Sequence, residues 1–335
     1  RFSAAVSVYS VLNTADCLEL QLFLWIHLEV HMSIRPIKKL LTAQPTLEGA
    51  GVRLRRGFGF GDVSDTDPFL LFDDFRNDRP EDFLAGFPWH PHRGIETITY
   101  VLEGTVEHGD SLGNAGTLGA GDVQWMTAGS GIIHQEMPKG TPEGRMHGFQ
   151  LWSNLPSSLK MTAPRYQDIQ AAEIPEVVED DGVRARVICG TFWGADGPVR
   201  GIAADPCYVD ITVPSGTSRR LPVDRQRQVF AYVFDGSGSF RDASAPMPVA
   251  TEVNDRIVMS KVEDRSLVVF DTGDEIQLQA GDHVLLFILV SGKPLLEPFA
   301  WHCPIVMNTK QEIETAFAEY RAGTFLKSPS SLSQS

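Results

Sequence analysis

Four side chains in two short stretches have the types and spacing to hold a metal ion. In FPWHPHRGIETITYVLEG, from Phe87 to Gly104, His90 and His92 lie two residues apart, so a strand turns both imidazoles to one side. Pro91 between them faces away and has no N–H to give to a ladder. In GDVQWMTAGSGIIHQEMP, from Gly121 to Pro138, His134 and Glu136 repeat that spacing. Antiparallel strands carrying the two pairs across a barrel interior would bring three imidazoles and one carboxylate to a point. Such a set suits borderline divalent ions: iron, manganese, cobalt, nickel, copper or zinc. The lack of a thiolate argues against a structural zinc site. On an octahedral metal the set leaves two adjacent positions open, for a chelating or oxygen-bearing substrate beside a second small ligand. With nine histidines in 335 residues a chance His-x-His is ordinary. Two such pairs inside one β unit outweigh that bland reading.

The elements that must position these residues are strands. From Gly51 to about Trp152 the chain breaks every eight to twelve residues at Gly, Pro, Asp or Asn, with apolar residues alternating between breaks, which predicts a β-barrel or sandwich. A weaker echo comes later in the chain, in the same order. Tyr100-Val101-Leu102-Glu103-Gly104 resembles Tyr232-Val233-Phe234-Asp235-Gly236, and Ala120-Gly121-Asp122 returns as Ala280-Gly281-Asp282. Two similar β units are implied, 32–165 and 166–300, the second with an insertion at about 241–266 and the pair joined through the stretch from Pro156 to Pro175. In segment 301–327 Thr309 and Glu312 form a capping box, Ile313, Ala316, Phe317 and Tyr320 repeat with helical spacing, and Gly323 closes a helix that should pack one apolar face on a barrel. The tail 328–335 is too polar to pack and is expected to be disordered. Residues 1–31 differ in character from the stretch that begins at Met32 and are expected to be an upstream extension.

With 42% apolar residues the chain can fill two cores, and a net charge of −14 disfavours direct binding to nucleic acid or anionic lipid. Cys17, Cys189, Cys207 and Cys303 form no Cys-x-x-Cys pair, which fits a reducing, cytoplasmic setting. The apolar run from residue 18 to 30 is too short and too acidic to span a bilayer, so no membrane segment is expected. Gly57-Phe58-Gly59-Phe60-Gly61 lacks the Lys-Ser/Thr of a phosphate loop and is read as a hairpin, with no nucleotide site. His147 is either a pocket residue or a buried hydrogen-bonded one. Trp125 and Met126 are expected to fill the barrel.

The motif stretches resemble the pirin family of the cupin superfamily: DPFLLFDDF from Asp67, HPHRGIET from His90, QWMTAGSGIIHQEMP from Gln124, QLWSNLP from Gln150, PRYQDI from Pro164 and PIVMNT from Pro304. The resemblance implies an all-β bicupin, two jelly-roll barrels with a C-terminal α-helix, in which only the first barrel holds metal, usually Fe(II), with other divalent transition metals as alternatives. It puts His90, His92, His134 and Glu136 on ligand positions. Thr127 stands where cupins usually have a proline, and the carboxylate comes from the second motif rather than the first. Both departures look like the family's own variant. Glu96 lies near the usual first-motif glutamate, with either a role behind the ligands or an ordinary hydrogen-bonding one. The activity implied is that of a quercetin 2,3-dioxygenase, opening a flavonol ring with O2 and releasing CO, with Glu136 as catalytic base. As an alternative, the resemblance allows an iron-dependent, redox-responsive regulator that binds a protein partner, nuclear in a eukaryote. A cupin isomerase, needing no oxygen, is a third reading.

Overall fold

Turn residues cut the chain into short strands, and the alternation of apolar residues stacks those strands into two sandwiches of the same plan. The computed structural model describes residues 32–242 and 258–327. The expectations for residues 1–31, for the middle of the insertion and for the tail 328–335 lie outside the described residues. In the first barrel a seven-stranded sheet runs in the order Arg165–Ile169, Val123–Thr127, Ile95–Glu103, His147–Asn154, Phe69–Asp74, Val52–Phe58, Gln44–Glu48. Against it lies a four-stranded sheet, Phe87–His92, Ile132–Pro138, Val106–Asp110, Ala115–Leu118. The second barrel repeats this with Ile37–Thr42, Ser266–Phe270, Gln228–Asp235, Leu285–Gly292, Cys207–Val213, Arg184–Cys189, Glu176–Val178, and with Ser218–Pro222, Glu275–Ala280, Ser237–Asp242, Val258–Glu263. The fold is all-β, two cupin barrels packed as a bicupin.

Strand order differs from chain order at both ends. Ile37–Thr42, early in the sequence, pairs with Ser266–Phe270 and so belongs to the sheet of the second barrel. The chain after the second barrel returns to the first as a hairpin, Ala300–His302 with Ile305–Met307, followed by the helix Lys310–Ala322. That helix begins and ends as its residues dictate. Thr309 Oγ1 accepts from the Glu312 N–H at 3.2 Å, Glu312 Oε2 accepts from the Thr309 N–H at 2.7 Å, and Gly323 takes the left-handed conformation at φ +73°. Ile313 and Ala316 are buried with Ile305, Met307 and Phe325, while Tyr320 is 40% exposed. The expected hairpin at Gly57–Gly61 is absent: the strand Val52–Phe58 runs directly into a 3-10 turn, Phe60–Asp62, and one helical turn, Val63–Thr66.

Apolar side chains between the barrels, Phe72, Tyr100 and Phe149 from one and Phe230, Tyr232 and Ile288 from the other, form a single core. Trp125 joins it, while Met126, on the opposite face of its strand, packs in a separate cluster with Ile95 and Trp152. The interior of the second barrel is filled with Val187, Val209, Val229, Phe240 and Phe287. Among the described residues no helix is long and apolar enough to cross a membrane.

Candidate metal centre

Strands Phe87–His92 and Ile132–Pro138 are hydrogen-bonded neighbours, with His134 directly opposite His90 and Ile132 opposite His92. The two motif pairs therefore meet along one sheet and not across the barrel, since directly opposed residues share a face with their Cα atoms about 5 Å apart. Burial alternates along Ile132–Pro138, which turns His134 and Glu136 inward and Gln135 outward. His90 Nε2 lies 3.0 Å from His92 Nε2 and 3.0 Å from His134 Nε2, and one ligand atom from each ring falls within 4.8 Å of the others.

The backs of the rings explain what those three nitrogens are for. His90 Nδ1 donates to the Pro88 carbonyl at 2.9 Å and His92 Nδ1 to the Pro304 carbonyl at 3.1 Å. A carbonyl only accepts, so both protons sit on Nδ1 and both Nε2 atoms present lone pairs to the cluster. Burial holds the His92 and His134 pKa values well below the usual imidazole range, and the neighbouring imidazoles push them the same way. His134 Nδ1 has no hydrogen-bond partner among the described residues, so His134 Nε2 either donates to the His90 Nε2 lone pair or, with its proton on Nδ1, turns a third lone pair toward a shared cation. The group fits a divalent transition metal.

Glu136 lies outside the three-histidine group. It is 8% exposed, its Oε1 accepts from the Thr99 hydroxyl at 3.0 Å, and burial raises its pKa against the opposing influence of His90 and Thr99. Glu136, His90 and His92 all border a cavity of about 880 Å³ whose walls include Val52, Phe75, Phe83, Met146, Trp152 and Trp301. A neutral carboxyl or carboxylate beside a metal-binding cluster, in an apolar chamber of this size, can exchange a proton with an enclosed small molecule.

Sequence reasoning did not find three contributors. Thr99 could have been found from the alternation of Ile95–Glu103, which sends residues 97 and 99 to the cavity side. His108 is the ladder partner of Glu136 on Val106–Asp110 and is 7% exposed. The Pro304 carbonyl comes from far along the chain and left no local signal. Glu96 takes the opposite face of its strand from Thr99, where Thr127 Oγ1 donates to it at 2.8 Å, so its role is the hydrogen-bonding one. His147 packs between the rings of Phe149 and Phe234 and does not border the cavity.

The pirin family model matches residues 51–153, and the pirin C-terminal cupin domain matches residues 208–326. A pirin-like protein of Caulobacter vibrioides is 41% identical over 88% of this chain and 100% of its own length. Human pirin is 39% identical over 82% of this chain and 88% of its own. Among solved structures, quercetin 2,3-dioxygenase from Acinetobacter baumannii superposes with a TM-score of 0.75 at 30% identity, covering 88% of this chain and 99% of that one. With both halves matched in order and a three-histidine cluster in the first barrel, this chain belongs to the pirin family.

Proposed function

We propose that this protein is a metal-dependent dioxygenase of the quercetin 2,3-dioxygenase type, which opens a flavonol ring with O2 and releases CO. The observation that carries the reading is the convergence of three imidazole Nε2 atoms, two of them on rings that border a largely apolar cavity of about 880 Å³, within the range of small-molecule sites. Similarity to the Acinetobacter enzyme along the whole of that chain supports it. His90, His92 and His134 would hold the metal, with Glu136 as a further ligand, and Fe(II) is the ion we assign. A bound divalent ion of this kind supplies Lewis acidity toward an enol hydroxyl and a redox partner for O2. Glu136, held by Thr99 and raised in pKa by burial, accepts the flavonol hydroxyl proton. Phe75, Phe83 and Trp152 grip the planar ring and keep bulk water from the electron-rich anion.

The test is metal analysis of freshly purified protein, with O2 uptake and CO release followed on a panel of flavonols. Stoichiometric CO from the metal-loaded protein and none after chelation supports the reading. Full consumption of quercetin by metal-depleted protein, or no consumption by loaded protein, overturns it. In the second case, capture of a protein partner that depends on the oxidation state of the metal would instead favour the regulatory reading.

A further inference from the structure

Register lines up polar side chains in one row across the seven-stranded sheet of the first barrel. Arg56 is opposite Asp73, Asp73 opposite Gln150, and Gln150 opposite Thr99, so all four point to one side, and all four border the cavity. Above and below the row that wall is apolar, with Leu54, Leu71 and Trp152. Thr99 marks the reacting end because it bonds Glu136. Neighbouring strands lie about 4.8 Å apart, which sets Gln150 about 5 Å and Asp73 about 10 Å from Thr99 along the row.

The polar groups in the row are not equally occupied. Arg56 donates to both Asp73 oxygens, at 2.9 and 2.8 Å. Gln150 engages Thr99 at 2.8 Å through one end of its amide only, and no other hydrogen bond to that side chain occurs among the described residues. One Thr99 proton cannot serve both Glu136 and Gln150. If it goes to Glu136, the Gln150 amide turns to donate to Thr99, and whichever way the amide is turned one of its two polar atoms is left over.

We propose that Gln150 is a specificity-determining residue: its remaining amide atom, beside Asp73, hydrogen-bonds a hydroxyl of a planar polyphenol other than the one that reacts. This rests on the flavonol reading above and adds which flavonols the site prefers. An apolar wall grips a bare flavonol and a hydroxylated one alike. A wall with an unsatisfied amide disfavours the bare one, which leaves that amide unpaired.

The test uses metal-loaded protein and two probes, quercetin and 3-hydroxyflavone, which has no hydroxyl besides the reacting one. Dissociation constants are measured by fluorescence titration under nitrogen, and kcat/KM for both in oxygenated buffer. Wild-type protein should prefer quercetin by about tenfold or more. Gln150→Leu should bring that ratio toward one by weakening quercetin. Gln150→Asn, which keeps the amide but withdraws it, should give an intermediate ratio and serves if the leucine variant does not fold. A quercetin preference unchanged in both variants overturns the inference. So does an equal loss for both flavonols, which would assign Gln150 to bracing Thr99 alone. Should both flavonols bind and neither be consumed, the dioxygenase reading fails while the binding ratio still decides this one. Should wild-type protein bind neither, both fall.

Discussion

Glu136 and the three histidines sit close together, yet their surroundings assign them different work. The histidines turn their Nε2 atoms toward one another, with Nδ1 of His90 and of His92 already held by carbonyls, whereas Glu136 is engaged by Thr99. His134→Ala should therefore lose bound metal and oxygenase turnover together. Glu136→Gln keeps a similar shape and the Thr99 contact, so it should retain most of the metal while turnover falls by about 10²-fold or more, the usual worth of a positioned base. Metal content and O2 uptake on the same preparations check both outcomes, and equal loss of metal in the two variants would make Glu136 chiefly a ligand. A second residue-scale prediction concerns Glu96, 1% exposed, whose pKa burial raises to about 7, with Thr127 only partly opposing. Between the ordinary carboxyl range and about 7 the folded protein holds a proton that the unfolded chain has released. Stability thus falls as pH rises through that window. Glu96→Gln should remove its share of the slope, gaining on the order of 2 kcal/mol at about pH 8 and little at about pH 4, as read from urea unfolding at the two pH values.

The elements that hold these residues divide into those with local causes and those without. The helix Lys310–Ala322 was legible to the residue, because a capping box, an apolar stripe and a terminal glycine all lie within its own sequence. The histidine pairs were legible for the same reason, since a two-residue spacing fixes the shared face of a strand. What the hairpin Ala300–His302 and Ile305–Met307 does for the site was not legible. It passes along the His92 segment, with the Val306 N–H donating to the Arg93 carbonyl at 3.1 Å. A Cβ on Gly94 would overlap the Val306 carbonyl oxygen, so glycine at φ +77° is what permits that approach. Arg93, 2% exposed, ties the assembly together: it donates to the Ser130 carbonyl at 2.7 Å and the Phe325 carbonyl at 2.8 Å, and pairs with Glu319 of the helix at 2.8 Å. The contacts of Arg93 with Phe325 and Glu319 join residues separated by most of the chain, and no spacing rule reaches that far. Arg93→Met should strand two carbonyls and leave Glu319 with Lys327 as its remaining cation, at a cost on the order of 2 kcal/mol. Because His92 leans on Pro304 in the same hairpin, metal affinity should drop about tenfold as well. Urea unfolding and chelator competition measure the two effects, and a loss of stability with unchanged metal affinity would uncouple the hairpin from the site.

At the scale of the whole molecule, the repeated Tyr-Val-x-x-Gly segment joins the barrels. Tyr100 occupies its sheet two strands from Asp74 in the row Asp74, Phe149, Tyr100, and Tyr232 stands in the matching row Asp210, Ile288, Tyr232. Each tyrosine reaches across to the other barrel's aspartate, Tyr232 donating to Asp74 at 2.8 Å and Tyr100 to Asp210 at 2.7 Å. Each pair also has an arginine of one barrel beside it, Arg76 near Asp74 and Arg186 donating to Tyr100 at 2.9 Å. The echo in the sequence thus marked a reciprocal lock, although the aspartates, lying outside the echoed segment, gave no sign of it. Exchange of the first strand into the second barrel's sheet, together with the single core between the barrels, leaves neither half complete alone. The two halves should therefore unfold as one unit. Tyr232→Phe removes the hydroxyl that serves Asp74, itself 1% exposed, and leaves a buried carboxylate a donor short, worth about 1–3 kcal/mol. Since Tyr232 contacts the face of the first barrel that is turned away from the cavity, metal content should stay at the wild-type level. Urea unfolding followed both by tryptophan fluorescence and by far-ultraviolet circular dichroism should show one transition, with the same midpoint by either probe, shifted to lower urea in the variant. Two separated transitions, or a midpoint that moves in only one signal, would mean that the barrels are joined without being energetically coupled.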